Sequence, residues 1–235
     1  MFKESIMTTK ELADYIKLNE KTVIKMAQNG EIPGIKIGAQ WRFHLESIDA
    51  YVQNDIVKAK DGDLDVIINT GINIIPLSRL IREELIDIDF KGTTPNEVIA
   101  ELVNIASNAR LTSSGKKLIG ELKNREKLLS TAIGNGVALP HPRHPSSEFF
   151  SKPNIIFVRS KKGIDFKAPD KKPVHLFFMT CEPNELVHLR LFAKITKLLH
   201  APRIINKFLQ AESKEGMIQI LLEFEKEHFF AKSKD

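Results

Sequence analysis

Gly134-Asn135-Gly136-Val137-Ala138-Leu139-Pro140-His141-Pro142-Arg143 is the stretch on which the reading of this 235-residue sequence turns. At its centre His141 stands between two prolines, after a glycine pair and shortly before an arginine. Each proline fixes its own φ and removes an amide donor, so the backbone around His141 is stiff. A neutral imidazole, with an unperturbed pKa near 6.5, is a competent nucleophile close to pH 7. A nitrogen nucleophile, a stiff chain and a nearby cation are what the receipt of an anionic group requires. Taken alone, a cluster of proline and glycine is also an ordinary loop, so the flanking segments have to decide.

Composition narrows the field first. With 42% hydrophobic residues the chain can bury a sizeable core and fits one or two domains. The longest apolar runs, Ile155-Ile156-Phe157-Val158 and Leu176-Phe177-Phe178-Met179, are strand-sized and far short of the roughly 20 residues that span a bilayer. Met1-Phe2-Lys3-Glu4-Ser5 has no apolar core leading to a cleavage site, so membrane insertion is not expected and a cytoplasmic location is. The lone Cys181 has no partner for an internal disulfide or a structural zinc, and neither a metal nor a cofactor is expected. The net charge of +5 is mild, but a local basic surplus, Lys21, Lys25, Lys36 and Arg42 against Glu31, lies between Lys21 and Phe43.

Outward from His141 the chain alternates helix and strand signals. Ile86 to Phe90 alternates as a strand, and Leu80 to Leu85 suggests a short helix before it. Thr94-Pro95-Asn96-Glu97 combines a capping box with a first-turn proline, starting a helix with Val98, Leu102 and Ile105 on one face. Ser114 to Glu126 reads as a helix, Asn154 to Arg159 and Val174 to Thr180 as strands, and Asn184 to Leu199 as a deeply buried helix. Two more helices fit Arg203 to Leu209 and Lys214 to Glu227. The class is α/β or α+β, with helices flanking a small mixed sheet.

The first 56 residues form a separate pattern. Thr8 and Glu11 have capping-box spacing, Leu12, Ala13 and Ile16 give an apolar face, and Asn19 caps a second helix from Glu20 to Gln28 that ends at Gly30. Val23, Met26 and Ala27 face inward on it, while Lys21, Thr22, Lys25 and Gln28 face outward. Ile35-Lys36-Ile37 and Trp41-Arg42-Phe43 read as a hairpin beside that helix, with Trp41 covering the core, and Leu45 to Val52 as a closing helix. The unit resembles the excisionase-type, MerR-related winged helix-turn-helix domain. That resemblance implies that Lys21, Thr22 and Lys25 face the major groove of duplex DNA and that Lys36, Gln40 and Arg42 face phosphates.

A second resemblance covers the rest. Arg125-Glu126, Ser130-Thr131, the glycine pair, Pro140-His141, the Gly163 to Val174 segment and His188-Leu189 occur in the order found in the type-2 enzyme IIA domain of the bacterial phosphotransferase system, the fructose, mannitol and nitrogen-regulatory group. The expected organisation is a helix-turn-helix domain over 1–56, a linker over 57–75, a IIA-type domain over 76–226 and a tail over 227–235. The resemblance implies that His141 takes a phosphoryl group from the histidine phosphocarrier protein. Arg125 would neutralise phosphate oxygens, and His188, near the free amides of a helix start, would contact the phosphate or orient His141. His144 ranks below His141 as an acceptor, and Pro142 leaves no amide there to bind phosphate.

Three functional readings follow. The sequence carries neither a IIB-like nor a membrane-spanning IIC-like segment, and a DNA-binding-like unit precedes the IIA-like one. The first reading is therefore a cytoplasmic regulator in which phosphorylation of His141 is coupled to DNA binding. The second is a phosphocarrier component that serves a separate IIB. The third is a regulator that binds a protein partner without being phosphorylated. The oligomeric state is open, an oligomer included.

Overall fold

The computed structural model describes residues 6–16, 18–30, 32–45, 47–48, 51 and 76–230. The chain divides into two compact units, Met1–Ala59 and Lys60–Asp235, each described by itself. The linker expected over 57–75, much of the helix expected over Leu45 to Val52, and residues 231–235 of the expected tail lie outside the described residues.

In the first unit, strands β1 (Ile6–Thr8), β2 (Ile35–Ile37) and β3 (Gln40–His44) form an antiparallel sheet in the order β1-β3-β2. Helix α1 (Thr9–Ile16) starts on the expected capping box. The Thr8 amide donates to Glu11 Oε2 at 2.7 Å, and the Glu11 amide donates back to Thr8 Oγ1 at 3.3 Å. The Asn19 side chain accepts from the Lys21 amide to open α2 (Glu20–Gln28), and Gly30, at φ 72°, lets the chain leave it. Leu12, Ala13, Val23, Ala27, Ile32, Phe43 and Ile48 form the core, with Trp41 packed on it. Strand β1 has no signal in the sequence, because three residues running straight into a capping box are too few to show alternation.

The second unit is built on a five-stranded mixed sheet in the order β4-β7-β8-β6-β5. The strands are β4 (Ile86–Phe90), β5 (Ala132–Gly134), β6 (Val137–Ala138), β7 (Asn154–Ile164) and β8 (Val174–Cys181). The strands β7 and β8 are antiparallel, pairing Phe157 with Phe178, while β4 runs parallel to β7 and β6 parallel to β8. Residues alternate across the sheet. Phe177, Met179 and Cys181 join a core with α3 (Pro95–Asn108) and α4 (Gly115–Leu128). On the other face Phe178 packs with Phe157 at 4.8 Å and with Phe208 at 5.6 Å. Phe208 belongs to α6 (Ile204–Gln210), which lies between α5 (Glu185–His200) and α7 (Lys214–Glu225). Leu191 to Leu198 of α5 are all buried, the polar Lys194, Thr196 and Lys197 included.

One expected element differs. Leu80 to Leu85 is not one helix: a 3-10 turn, Leu77–Arg79, ends just before it, and a second, Glu83–Leu85, occupies only its last three residues. The Glu225 carboxylate accepts from the amides of Leu77 and Ser78 and from the Ser78 hydroxyl, and the Leu80 carbonyl accepts from the Ile155 amide at 2.8 Å. The Leu80 carbonyl is thus taken by β7 and cannot accept from the first turn of a helix starting there. Thr94 caps α3 through the full capping box with Glu97, as the sequence predicts.

Candidate functional site

His141 is placed by a hairpin and a stop. Asn135 and Gly136, at φ 54° and 76°, form the turn between β5 and β6, with both central residues in the left-handed region that suits the twist of a tight hairpin. The Asn135 amide donates to Asp170 Oδ2 at 2.9 Å. Val137 and Ala138 pair with Leu176 and Phe177 of the central strand, and the Leu139 amide donates to the Thr131 carbonyl at 3.0 Å. Pro140 has no amide to continue the ladder, and Pro142 favours an extended conformation at His141. On the other side, the Glu126 carboxylate accepts from the amide and hydroxyl of Thr131 at 3.0 and 2.6 Å, tying the last turn of α4 to β5.

His141 is 2% exposed, and its Nδ1 lies 2.7 Å from the carbonyl oxygen of Leu139. A carbonyl oxygen only accepts, so Nδ1 carries the proton and Nε2 keeps the lone pair in the neutral ring. Burial holds the pKa of His141 well below the ordinary histidine value, and the charges of His188 and Arg125 push the same way. The bond to Leu139 opposes this without reversing it. The geometry and the burial thus favour a neutral ring with its proton on Nδ1.

Arg125 sits in the last turn of α4, 5% exposed, and donates from one guanidinium nitrogen to the Leu129 carbonyl at 2.7 Å. The His188 ring lies 4.9 Å from the His141 ring, centroid to centroid, and Phe192 meets His141 edge-on at 5.9 Å. The three sequence-predicted residues, from α4, the segment after β6 and α5, are thus close enough for the charges of two to bear on the third. His144 is exposed and outside this arrangement.

The sequence reading names no residue that orients His188. The Asn184 side chain accepts from the Val187 amide, and the His188 amide closes onto the Asn184 carbonyl at 3.1 Å, so these helix-start amides already have partners. The ring is held instead by Glu182, whose Oε1 lies 3.0 Å from His188 Nδ1. Glu182 is the first residue after β8 and is fully buried. The sequence reading missed it. Its signal was a carboxylate directly after an apolar strand and six residues before a histidine.

In the first unit Lys21, Thr22 and Lys25 are exposed on one helix, α2. On β3, Arg42 donates to Gln40 Oε1 at 2.6 Å and to the Trp41 carbonyl at 2.9 Å. Gln40 and Arg42 pair with Ile37 and Ile35, whereas Lys36 pairs with Trp41. Lys36 therefore lies on the opposite face of the hairpin from Gln40 and Arg42, and the structure does not bring the three together.

Residues 79–224, well over half of the chain, match the family described as "Phosphoenolpyruvate-dependent sugar phosphotransferase system, EIIA 2". The chain belongs to this family. Residues 6–55 match a model described as "Helix-turn-helix domain". The EIIA 2 unit is similar to the "Nitrogen regulatory protein" of Bradyrhizobium diazoefficiens, at 32% identity over 63% of this chain and 95% of that one. It is also similar to the "PTS system fructose-specific EIIABC component" of Bacillus subtilis, at 30% identity over 64% of this chain but only 24% of that protein's length. The crystal structure of nitrogen regulatory protein IIA-Ntr from Neisseria meningitidis superposes with a TM-score of 0.56 at 26% identity, covering 62% of this chain and 98% of that one. Among the described residues, no helix is long and apolar enough to cross a membrane, and no three His, Cys, Asp or Glu side chains are grouped to hold a metal ion.

Proposed function

We propose that the protein is a cytoplasmic regulator whose EIIA 2 unit accepts a phosphoryl group on His141 Nε2 from the histidine phosphocarrier protein, and whose helix-turn-helix unit binds duplex DNA. The observation that carries this reading is the Nδ1 bond of His141 to Leu139, which leaves Nε2 as the nucleophile of a neutral ring. In the transfer, the Nε2 lone pair forms the new P–N bond as the P–N bond to the carrier's imidazole breaks, and the carrier nitrogen leaves with that electron pair. The proton on Nδ1 stays in its bond to Leu139. The phosphorylated ring thus remains a good leaving group, and the step is reversible without proton transfer at this histidine. Such a transfer depends on positioning and charge stabilisation rather than on further covalent chemistry.

Arg125 supplies positive charge and His188 a ring nitrogen beside the site, and donors of this kind stabilise charge best in a water-poor setting. With His141 only 2% exposed, water has little access to the phosphoramidate, and the covering residues must shift when the carrier docks. In the DNA unit, Lys21, Thr22 and Lys25 serve the major groove, with Lys36, Gln40 and Arg42 toward the phosphates from the two faces of the hairpin. The added phosphate, carrying nearly two negative charges, is the signal that alters docking to DNA or to a partner.

A second reading, onward transfer to a IIB partner, is favoured by the similarity to a fructose-specific EIIABC component. One experiment addresses the shared core of both. The full chain is incubated with phosphoenolpyruvate, enzyme I and the histidine carrier, and intact mass is measured at neutral and acid pH. The expected result is an acid-labile gain of one phosphate, absent without the carrier. No gain in mass would leave only a binding role. DNA association separates the two readings, since a chain that shows no salt-sensitive binding to duplex DNA is no DNA-binding regulator.

A further inference from the structure

We propose that Glu182 is a positioning residue for phosphoryl transfer, holding the ring of His188 so that its Nε2, and not its Nδ1, is presented toward the phosphoryl group on His141. The proposal rests on the phosphoryl reading above and assigns a role to a residue outside the predicted triad.

The geometry is specific. Glu182 Oε1 lies 3.0 Å from His188 Nδ1, the carboxylate is fully buried, and the His188 side chain is 13% exposed. An ionised carboxylate accepts and does not donate, so it requires the proton on Nδ1 of His188 and leaves Nε2 for other work. Both histidines are thus locked in the same sense, His141 by the Leu139 carbonyl at 2.7 Å and His188 by Glu182, and their rings lie 4.9 Å apart. One ring offers Nε2 as nucleophile. The other offers Nε2 as the atom that meets the transferred group.

Meeting a phosphoryl oxygen requires Nε2 of His188 to carry a proton. With a carboxylate at Nδ1 and a phosphoryl dianion at Nε2, the doubly protonated ring lies between two anions that both favour it. No proton has to come from His141. The buried Cys181 thiol, next to Glu182, feels the Glu182 charge, while His188 and Arg125 both bear on His141.

Stability alone does not account for Glu182. Its second oxygen, Oε2, is buried with no hydrogen-bond partner, and so are the hydroxyls of Thr180, two residues earlier, and of Thr196, two turns beyond His188 on α5. A buried carboxylate with one oxygen unsatisfied carries a desolvation penalty that its single bond to His188 only partly offsets. The arrangement is the one expected where stability yields to function.

The test compares full-length wild type with Glu182→Gln and Glu182→Leu. Nitrogen-15 NMR of the His188 ring reads which nitrogen carries the proton, urea denaturation reads stability, and labelled phosphate transfer from the phosphorylated carrier reads rate. The leucine variant is expected to fold, to lose the preference for a proton on Nδ1 of His188, and to accept phosphate about tenfold more slowly because the ring is no longer held toward His141. The glutamine variant keeps an acceptor for Nδ1 but lacks the charge, and falls between the two in rate. A leucine variant that is phosphorylated at the wild-type rate, or one slowed only in proportion to lost stability with Nδ1 still protonated, overturns the role of Glu182. A wild type that takes no phosphate overturns the phosphoryl reading itself, and the role of Glu182 with it.

Discussion

The Nδ1 atom of His141 lies 2.7 Å from the carbonyl oxygen of Leu139, two residues back along its own chain. The bond fixes the tautomer through backbone geometry that the flanking prolines keep rigid. Burial then keeps the ring neutral well below the pH at which an ordinary histidine titrates. In an NMR titration of the ring protons, His141 is expected to show no inflection near pH 6.5, where free histidine is half protonated. A midpoint near 6.5 would mean that the ring is not enclosed as described.

The same shift makes a prediction about stability. The unfolded ring takes up a proton near pH 6.5, while the folded ring does so only at lower pH, so the unfolded state binds more protons in between. The contribution of His141 is full above about pH 6.5 and is lost as pH falls from there toward the folded-state value. Urea midpoints compared between pH 7.5 and pH 5.5 should fall less for His141→Asn than for wild type. An equal fall in both proteins would place the acid sensitivity elsewhere.

Arg125 bears on His141 through its charge and also closes α4 by donating to Leu129. Lysine keeps the charge but not the planar fork that serves both ends at once. Arg125→Lys is expected to fold and to accept phosphate more slowly by on the order of a hundredfold, the scale seen when one preorganised donor is removed from a charged transition state. Stopped-flow transfer from the phosphorylated carrier measures it, and an unchanged rate would remove Arg125 from the site.

The turn that leads to His141 offers a cleaner stability test. Gly136 has φ 76°, but an added Cβ would find His175 Cδ2 and the Pro173 carbonyl oxygen no nearer than 3.6 Å. Gly136→Ala therefore isolates backbone strain from crowding, and should lower unfolding free energy by about 1–2 kcal/mol. Urea denaturation checks this, and an unaltered midpoint would contradict the turn geometry.

For the helix-turn-helix unit, Lys25 and Arg42 are the informative positions. Lys25 is exposed on α2, so its removal leaves the core intact. Lys25→Ala, on the groove side, and Arg42→Ala, on the phosphate side, should each reduce the slope of log affinity against log salt by about 1, since each cation held against the duplex displaces a counterion. Fluorescence anisotropy on a duplex across a salt series gives the slope. Slopes identical to wild type in both variants would count against DNA contact by these residues.

Much of this architecture could be read from local signals. The capping boxes at Thr8–Glu11 and Thr94–Glu97 and the Asn19 cap are local and appear as read, because a cap needs only neighbours in sequence. His141, Arg125 and His188 converge as the resemblance implied, although their roles rest on the experiments proposed. Two features were hidden for one reason. The Leu80 carbonyl of an expected helix is taken by the Ile155 amide, 75 residues on, and Glu182 reaches His188 only because β8 and α5 fold back on each other. Long-range polar contacts leave no periodicity, and the wing residues Lys36 and Arg42 look equivalent in sequence until register sets them on opposite faces.

The central claim is that phosphate resides on one atom, Nε2 of His141. Its most direct measurement is phosphorus-31 and nitrogen-15 NMR of the chain phosphorylated through enzyme I and the carrier, with His141→Ala as control. The account predicts a single phosphohistidine, with phosphorus coupled to Nε2 of His141, a proton retained on Nδ1, and no signal in the variant. Phosphorus on Nδ1, on His144, or still present in His141→Ala would contradict it.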